Sequence, residues 1–285
     1  MSVSLYETAW IFLIYAFLGW CTEVAYAALE VKQFVNRGFL NGPVCPIYGC
    51  GVLVVIAFLT PLKKNFVLLF IGSVILTSVI EFVTGFLLEK LFHNQWWDYS
   101  DENFNICGYV CLKFSILWGI GCTLVMDVIH PGIYRFVKGI PNDLGAAFLA
   151  LLVVLFILDL AITVSTILKF NKRLKLMDEA ALRIREVSDE IGENIYEGVT
   201  AAAEKREELK ETIELKAAEI TEGREELAEK RKRLQQELEA LMEHESAGMK
   251  RLMRAFPGMK SRAYPETLKK WKIHLNRKRK CFEDK

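Results

Sequence analysis

Glu23, Glu81, Asp127 and Asp159 are acidic side chains that sit inside otherwise apolar stretches of this 285-residue chain. A charge at bilayer depth is costly, so such groups persist where they pair, hold backbone donors, or carry ions and protons. Glu23 and Glu81 lie toward the same end of their stretches at a matching depth, with Arg37 and Lys113 the nearest basic residues able to pair with them. Two chemistries fit. Either the acids line a polar path for a cation, a proton or a cationic substrate, or they satisfy buried donors and fix the packing of a helix bundle. Asp127 comes just before His130-Pro131 and is expected near an interface, and Asp159 near the middle of its stretch.

Other chemistries find no constellation. The seven cysteines include Cys45, Cys50, Cys107 and Cys111, but their spacing does not match a zinc ribbon, and no metal is expected. The histidines at 93, 130, 244 and 274 form no H-E-x-x-H, and no G-x-S-x-G elbow occurs. There is no G-x-x-x-x-G-K-[ST] loop to cradle phosphates. The expectation is therefore a non-enzymatic protein without a cofactor. The enzymatic alternative is an intramembrane acid/base role for Glu23 or Glu81.

The elements that position these acids follow from how charge is distributed. Residues 1–170 carry 9 Lys/Arg and 11 Asp/Glu, whereas residues 171–285 carry 27 and 24, so an apolar half is joined to a highly charged one. That excludes a single soluble globule and predicts an all-α polytopic membrane bundle with a long helical extension. Five apolar stretches are near the ~20 residues a membrane helix needs: about 5–29, 44–62, 66–88, 110–129 and 144–168. The second is the shortest, and Pro43 and Pro46 beside it point to a broken or re-entrant entry. Ala25-Tyr26-Ala27 resembles a cleavage site, but the first stretch is too long and lacks a positive leader, so it is read as a span. Lys/Arg bias near the span ends puts the C-terminus in the cytoplasm and the N-terminus outside.

Two connecting segments have unusual composition. NRGFLNGPVCPIYGCG at 36–51 is dense in glycine and proline, as a tight turn structure would be. QWWDYSDENFNICG at 95–108 sets Trp96, Trp97 and Tyr99 beside Asp98 and Asn105. These rings suit an aromatic belt at headgroup level, or a docking surface for a partner or lipid.

The charged half divides again. Residues 171–245 are proline-free and rich in Ala, Glu, Lys, Arg and Leu, with Ile213, Ile220, Leu227, Leu234 and Leu241 recurring at sevens. That is one position of a coiled-coil seam, so self-association through 184–241 is expected of a helix with a weak second seam. Residues 246–285 hold 13 Lys/Arg against three acids. The set Lys269, Lys270, Trp271, Lys272, Arg277, Lys278, Arg279 and Lys280 is expected to meet anionic lipid. Nucleic acid is the weaker reading for a tail tethered to a membrane. The expected domains are 1–170, 171–245 and 246–285.

A set of motifs then becomes familiar: Gly19-Trp20 with Glu23, Asn36-Arg37-Gly38-Phe39-Leu40 with Gly42-Pro43, and Pro46-Ile47-Tyr48-Gly49. It continues with Glu81, Gly85 and Glu89, then Trp97-Asp98-Tyr99-Ser100, Phe104-Asn105, Gly108 and Lys113. Over about residues 6–160 the chain resembles the bacterial CmpB-like family of ABC transporter permeases, type IV. The resemblance implies a permease-like subunit of a bacterial plasma membrane and a separate ATPase or other membrane subunit as partner. It singles out Glu23, Arg37, Glu81, Trp97, Asp98, Tyr99, Asn105 and Lys113, to which Asp159 is added as an intramembrane acid. The alternative function is a membrane-anchored scaffold or sensor that presents its helix to partners.

Overall fold

A computed structural model describes residues 4–204, 210–243 and 246–283, and it is predominantly helical. Helix α1 (Leu5–Val31) starts at a reciprocal cap: the Ser4 hydroxyl accepts from the Glu7 N–H, and the Glu7 carboxylate accepts from the Ser4 N–H. It stops where Lys32 turns left-handed at φ 55°. Helix α3 (Phe66–Phe92) repeats the plan, with Asn65 as cap and His93 at φ 55°. Each has 27 residues, ~40 Å of helix against ~30 Å of hydrocarbon.

Between them, α2 (Pro46–Leu59) has 14 residues, roughly 21 Å and too short to cross alone. The Cys45 N–H donates to the Ala16 carbonyl at 2.9 Å, in the middle of α1. Residues 32–45 therefore run back along α1 as irregular chain before α2 begins, and α2 then descends antiparallel to α1 with Gly49 against Phe12. The second pass is an inserted loop plus a short helix, in keeping with the proline-flanked sequence.

The next pass is longer than the sequence suggests. Helix α4 (Leu112–Leu124) leads through a π-helical turn, Val125–Ile129, into α5 (His130–Lys138). Pro131 has no N–H for the carbonyl four residues earlier, and the wider turn absorbs that loss without ending the helix. Asp127 lies beside Phe66, the first residue of α3, level with the end of that helix. Helix α6 (Asn142–Glu204) begins apolar and continues into the charged region. Among the described residues, four stretches are long and apolar enough to cross a membrane: Leu5–Leu29, Phe66–Phe92, Leu112–Lys138 and the one that opens α6. The protein is a multi-pass membrane protein of the all-α class.

The chain forms two compact units. The first is Met1–Lys169 with Ser246–Ala263, and around Trp10, Ile11, Tyr15, Val52, Val137 and Leu149 it buries an apolar core. The returning segment carries α8 (Ala247–Ala255) and β4 (Lys260–Ser261). Strand β4 pairs antiparallel with β1 (Asn94–Gln95), Asn94 opposite Ser261. A hairpin of β2 (Asn105–Ile106) and β3 (Val110–Cys111) completes the 93–111 loop. The second unit is Phe170–Glu245 with Tyr264–Lys285, including α7 (Lys210–Glu243) and α9 (Pro265–Glu283). Phe170, Leu174, Met177, Leu268 and Trp271 are buried in it, and the Trp271 indole donates to the Met242 carbonyl at 3.1 Å. Composition groups 246–285 as one basic tail, but the contacts divide it after Ala263. The divide follows side-chain fit, which charge counting does not see.

Candidate functional site

Glu23 is presented by α1 one turn beyond Gly19. A Cβ on Gly19 would lie 2.2 Å from Cγ of Tyr48, so only glycine lets the Tyr48 ring lie flat against the helix. From that seat the Tyr48 hydroxyl donates to Glu23 at 2.6 Å, while Arg37 pairs with the other carboxylate oxygen at 3.4 Å. The α3 helix repeats the device. Tyr109 rests on Gly85 and its hydroxyl donates to Glu89, one turn on, at 2.8 Å.

The loop carrying Arg37 is held by side chains from elsewhere. Asn36 accepts from the Trp20 indole at 2.8 Å and from the Gly38 N–H at 3.0 Å, and its amide donates to the Asn41 carbonyl. Asp159, from α6, accepts from the Asn41 N–H at 3.0 Å, the Asn41 amide at 2.8 Å and the Gly42 N–H at 2.6 Å. Backbone donors at bilayer depth have no water to satisfy them, so this carboxylate caps the inserted loop. Arg251, from α8, donates to the Gly38 and Phe39 carbonyls at 2.8 and 2.9 Å.

Glu81 projects from α3 and is only 9% exposed. One oxygen accepts from the Tyr99 hydroxyl at 3.3 Å; the other, also buried, has no hydrogen bond of ordinary geometry among the described residues, although the Trp118 indole is close enough to act on the carboxyl. Tyr99 stacks on Phe114 at 4.9 Å, and Tyr48 meets Trp118 edge-on at 5.5 Å. Glu23 is near enough for its charge to act on Glu81. The outcome is an aromatic-walled group of two carboxyls, two tyrosine hydroxyls and one guanidinium. A carboxyl that is buried with an oxygen to spare can hold a proton or accept a cation, whereas Glu23 is already compensated by Arg37.

The 93–111 loop organises Tyr99. Asp98 accepts from the Ser100 N–H at 2.9 Å and from its hydroxyl, and pairs with Lys260. Burial works to raise the Asp98 pKa, but the hydrogen bonds from Lys260 and Ser100 and the charge of Lys260 prevail and hold it at about 2. The Asn105 amide donates to the Ser100 and Glu102 carbonyls. The Trp97 indole donates to the Tyr109 carbonyl at 2.9 Å. Trp96 is 4% exposed and packed against Phe39, Phe92 and Phe256. Trp96 therefore belongs to the interior and not to a belt at the headgroups.

Of the residues singled out from sequence, the fold brings Glu23, Arg37, Glu81 and Tyr99 together. Asp98, Trp97, Asn105 and Asp159 shape the loops around them. Lys113 does not reach either acid; it pairs with Glu102 at the surface at 3.1 Å. In the second unit Lys269, Lys270 and Arg277 are exposed, Trp271 is interior, and burial lowers the pKa of Lys272. The side chains of Lys278, Arg279 and Lys280 lie outside the described residues. Leu227, Leu234 and Leu241 are half-buried, whereas the side chains of Ile213 and Ile220 also fall outside them. Cys45 and Cys111 are buried, Cys50 and Cys107 exposed. Sequence reasoning passed over Tyr48 and Trp118 as site residues. The Tyr48 of PIYG was in view as a motif, but its reach to Glu23 depends on the seat at Gly19; Trp118 carried no signal.

A family model described as "Putative ABC-transporter type IV" (ABC_trans_CmpB) matches residues 10–164. No curated protein matches the chain, and no solved structure does. The matched stretch contains both acids, both loops and Asp159, and stops before the second unit.

Proposed function

On the premise that the chain belongs to the type IV ABC-transporter (CmpB) family, we propose that it is a permease-like membrane subunit working with a separate ATPase chain. Glu81 and Glu23 are the polar groups of a path for a proton or a cation, and the protein itself catalyses no reaction. The observation that carries this reading is the Glu81 carboxyl, nine-tenths buried beside Tyr99 and Trp118 with one oxygen that no hydrogen bond of ordinary geometry satisfies among the described residues. A purely structural acid would have both oxygens matched, as Asp159 does. The protein sits in a bacterial plasma membrane with its C-terminus in the cytoplasm and its N-terminus outside. A reporter fused after Lys285 that works only outside the cytoplasm would reverse that orientation.

The test is cation or proton flux in proteoliposomes of the full chain with its co-purified partner. Glu81→Gln should abolish flux, and Glu23→Gln should reduce it with folding retained. Flux equal to wild type in both variants removes the acids from the path. The second reading is a scaffold or sensor. It is favoured by the extension having a core of its own, with Phe170 stacked on Trp271 at 5.6 Å. Pairing between copies through 184–241 and contact of Lys269, Lys270 and Arg277 with anionic lipid belong to it. Mild-detergent purification separates the two: a nucleotide-binding subunit that co-purifies supports the permease, and division or envelope proteins support the scaffold.

A further inference from the structure

Segment 246–263 is separated from the rest of its unit by the whole of 170–245, yet it grips both loops of the site. Its first cationic handle, Arg251, holds the carbonyls of Gly38 and Phe39. These directly follow Arg37, the ion-pair partner of Glu23. Its second, Lys260, holds Asp98, which directly precedes Tyr99, the hydrogen-bond donor to Glu81. Arg262 adds a pair to Glu89 at 3.0 Å, and its N–H donates to the His93 carbonyl at 2.9 Å. Apolar contact ties the handles together: Met249, Leu252, Ala255 and Met259 are buried, and Phe256 meets Trp96 at 5.0 Å. None of this segment lies in the stretch that the family model matches.

We propose that residues 246–263 form a strap that positions both acids' partners at once: docked, it keeps Arg37 on Glu23 and Tyr99 on Glu81, and released, it frees both loops together. Because the strap is continuous at both ends with the second unit, whatever engages that unit has a covalent route to the site. Salt dependence is built in, since Lys260 and Arg262 are more than half exposed and their pairs weaken as ionic strength rises. The inference rests on reading Glu23 and Glu81 as the site, but its test does not require transport.

The signature of a strap is an effect on the loop that a substitution does not touch. In the full chain in detergent micelles, amide hydrogen exchange is followed in 33–45 and 95–109, together with labelling of Glu23 and Glu81 by a hydrophobic carbodiimide. Arg251→Ala contacts only the first loop, and the pair Lys260→Ala with Arg262→Ala only the second. Each should speed exchange at least threefold in both loops and raise labelling of both glutamates. Acceleration confined to the contacted loop, or unchanged labelling, overturns the proposal. If Arg251→Ala does not fold, the double variant, made at exposed side chains, decides by itself. Failure of the transport reading would look different: flux unaffected by Glu81→Gln, with these exchange and labelling differences intact.

Discussion

The two loops of the site solve one problem in opposite ways. Both must keep irregular backbone in place beside apolar helices. The 93–111 loop does so largely from within, through the β2–β3 hairpin, the Asp98–Ser100 turn and the Asn105 amide on two nearby carbonyls. The 32–45 loop has no strand of its own and borrows Asp159 and Arg251, more than a hundred residues away in sequence. Insertion explains the difference. Cys45 bonds to Ala16, ~22 Å of helix from the end of α1, where no water replaces a lost partner. A loop that goes that deep needs charged groups from other helices. A loop that stays near the helix ends can be closed by its own residues.

The sharpest challenge to this contrast is Asp159→Ala, which strips one carboxylate from the Asn41 and Gly42 donors and from the Thr163 hydroxyl. It should cost about 3 kcal/mol or more, since bonds to a charged acceptor contribute ~1.5–3 kcal/mol each and lipid offers the freed N–H groups no replacement. Thermal unfolding in detergent measures the loss, and Asp159→Asn should recover part of it. Next come the glycine seats. Gly19→Ala forces the Tyr48 ring aside and should destabilise by ~1–3 kcal/mol, while Gly85→Ala, whose Cβ would meet Tyr109 at 2.8 Å, should cost less. The tyrosine hydroxyl's loss from Glu23 can be followed by ultraviolet resonance Raman. Asn105→Ala should cost only ~1 kcal/mol, because the freed carbonyls lie near the surface. If it matches Asp159→Ala, the contrast between borrowed and internal support fails.

The smallest effect is that of pH on the Asp98–Lys260 pair. The folded pKa of Asp98 is held at about 2, below its usual 3.8, so the pair contributes stability that is fully present above about 4. The contribution is lost as pH falls from there through about 2. Hydrogen exchange in 95–109 should therefore be flat between pH 5 and 8, once corrected for intrinsic rates, and should rise only in that acid window. A rise near neutrality would assign the control of this loop to another group.

Much of the molecule was legible from residue order. Long apolar stretches must become helices because lipid leaves backbone groups no other partner, which gave α1, α3 and the start of α6. The prolines at 43 and 46 marked the broken second pass, and the matched depth of Glu23 and Glu81 agrees with their proximity in the fold. Other features were not legible. The end of the α4–α5 pass was set too early at Ile129, because Pro131 signals a stop unless a π turn accommodates it. Lys113 looked like a partner for an intramembrane acid by position alone, yet Glu102 is nearer. The aromatic run at 96–99 read as a belt or a docking surface, whereas Trp96 is interior, since sequence does not tell which side of a loop a ring takes.

What the sequence by itself determined was local: which segments are apolar enough to be helices in lipid, where charge is expensive, and where glycine and proline bend the chain. Those properties depend on neighbours a few residues apart. Only the tertiary structure decided that Tyr48 and Tyr99 donate to the acids, that Asp159 caps a loop, and that part of a basic tail packs on both loops. Each of those is a contact between residues distant in the chain, fixed by shape and by the need of buried polar groups for partners, and neither is written in composition or spacing.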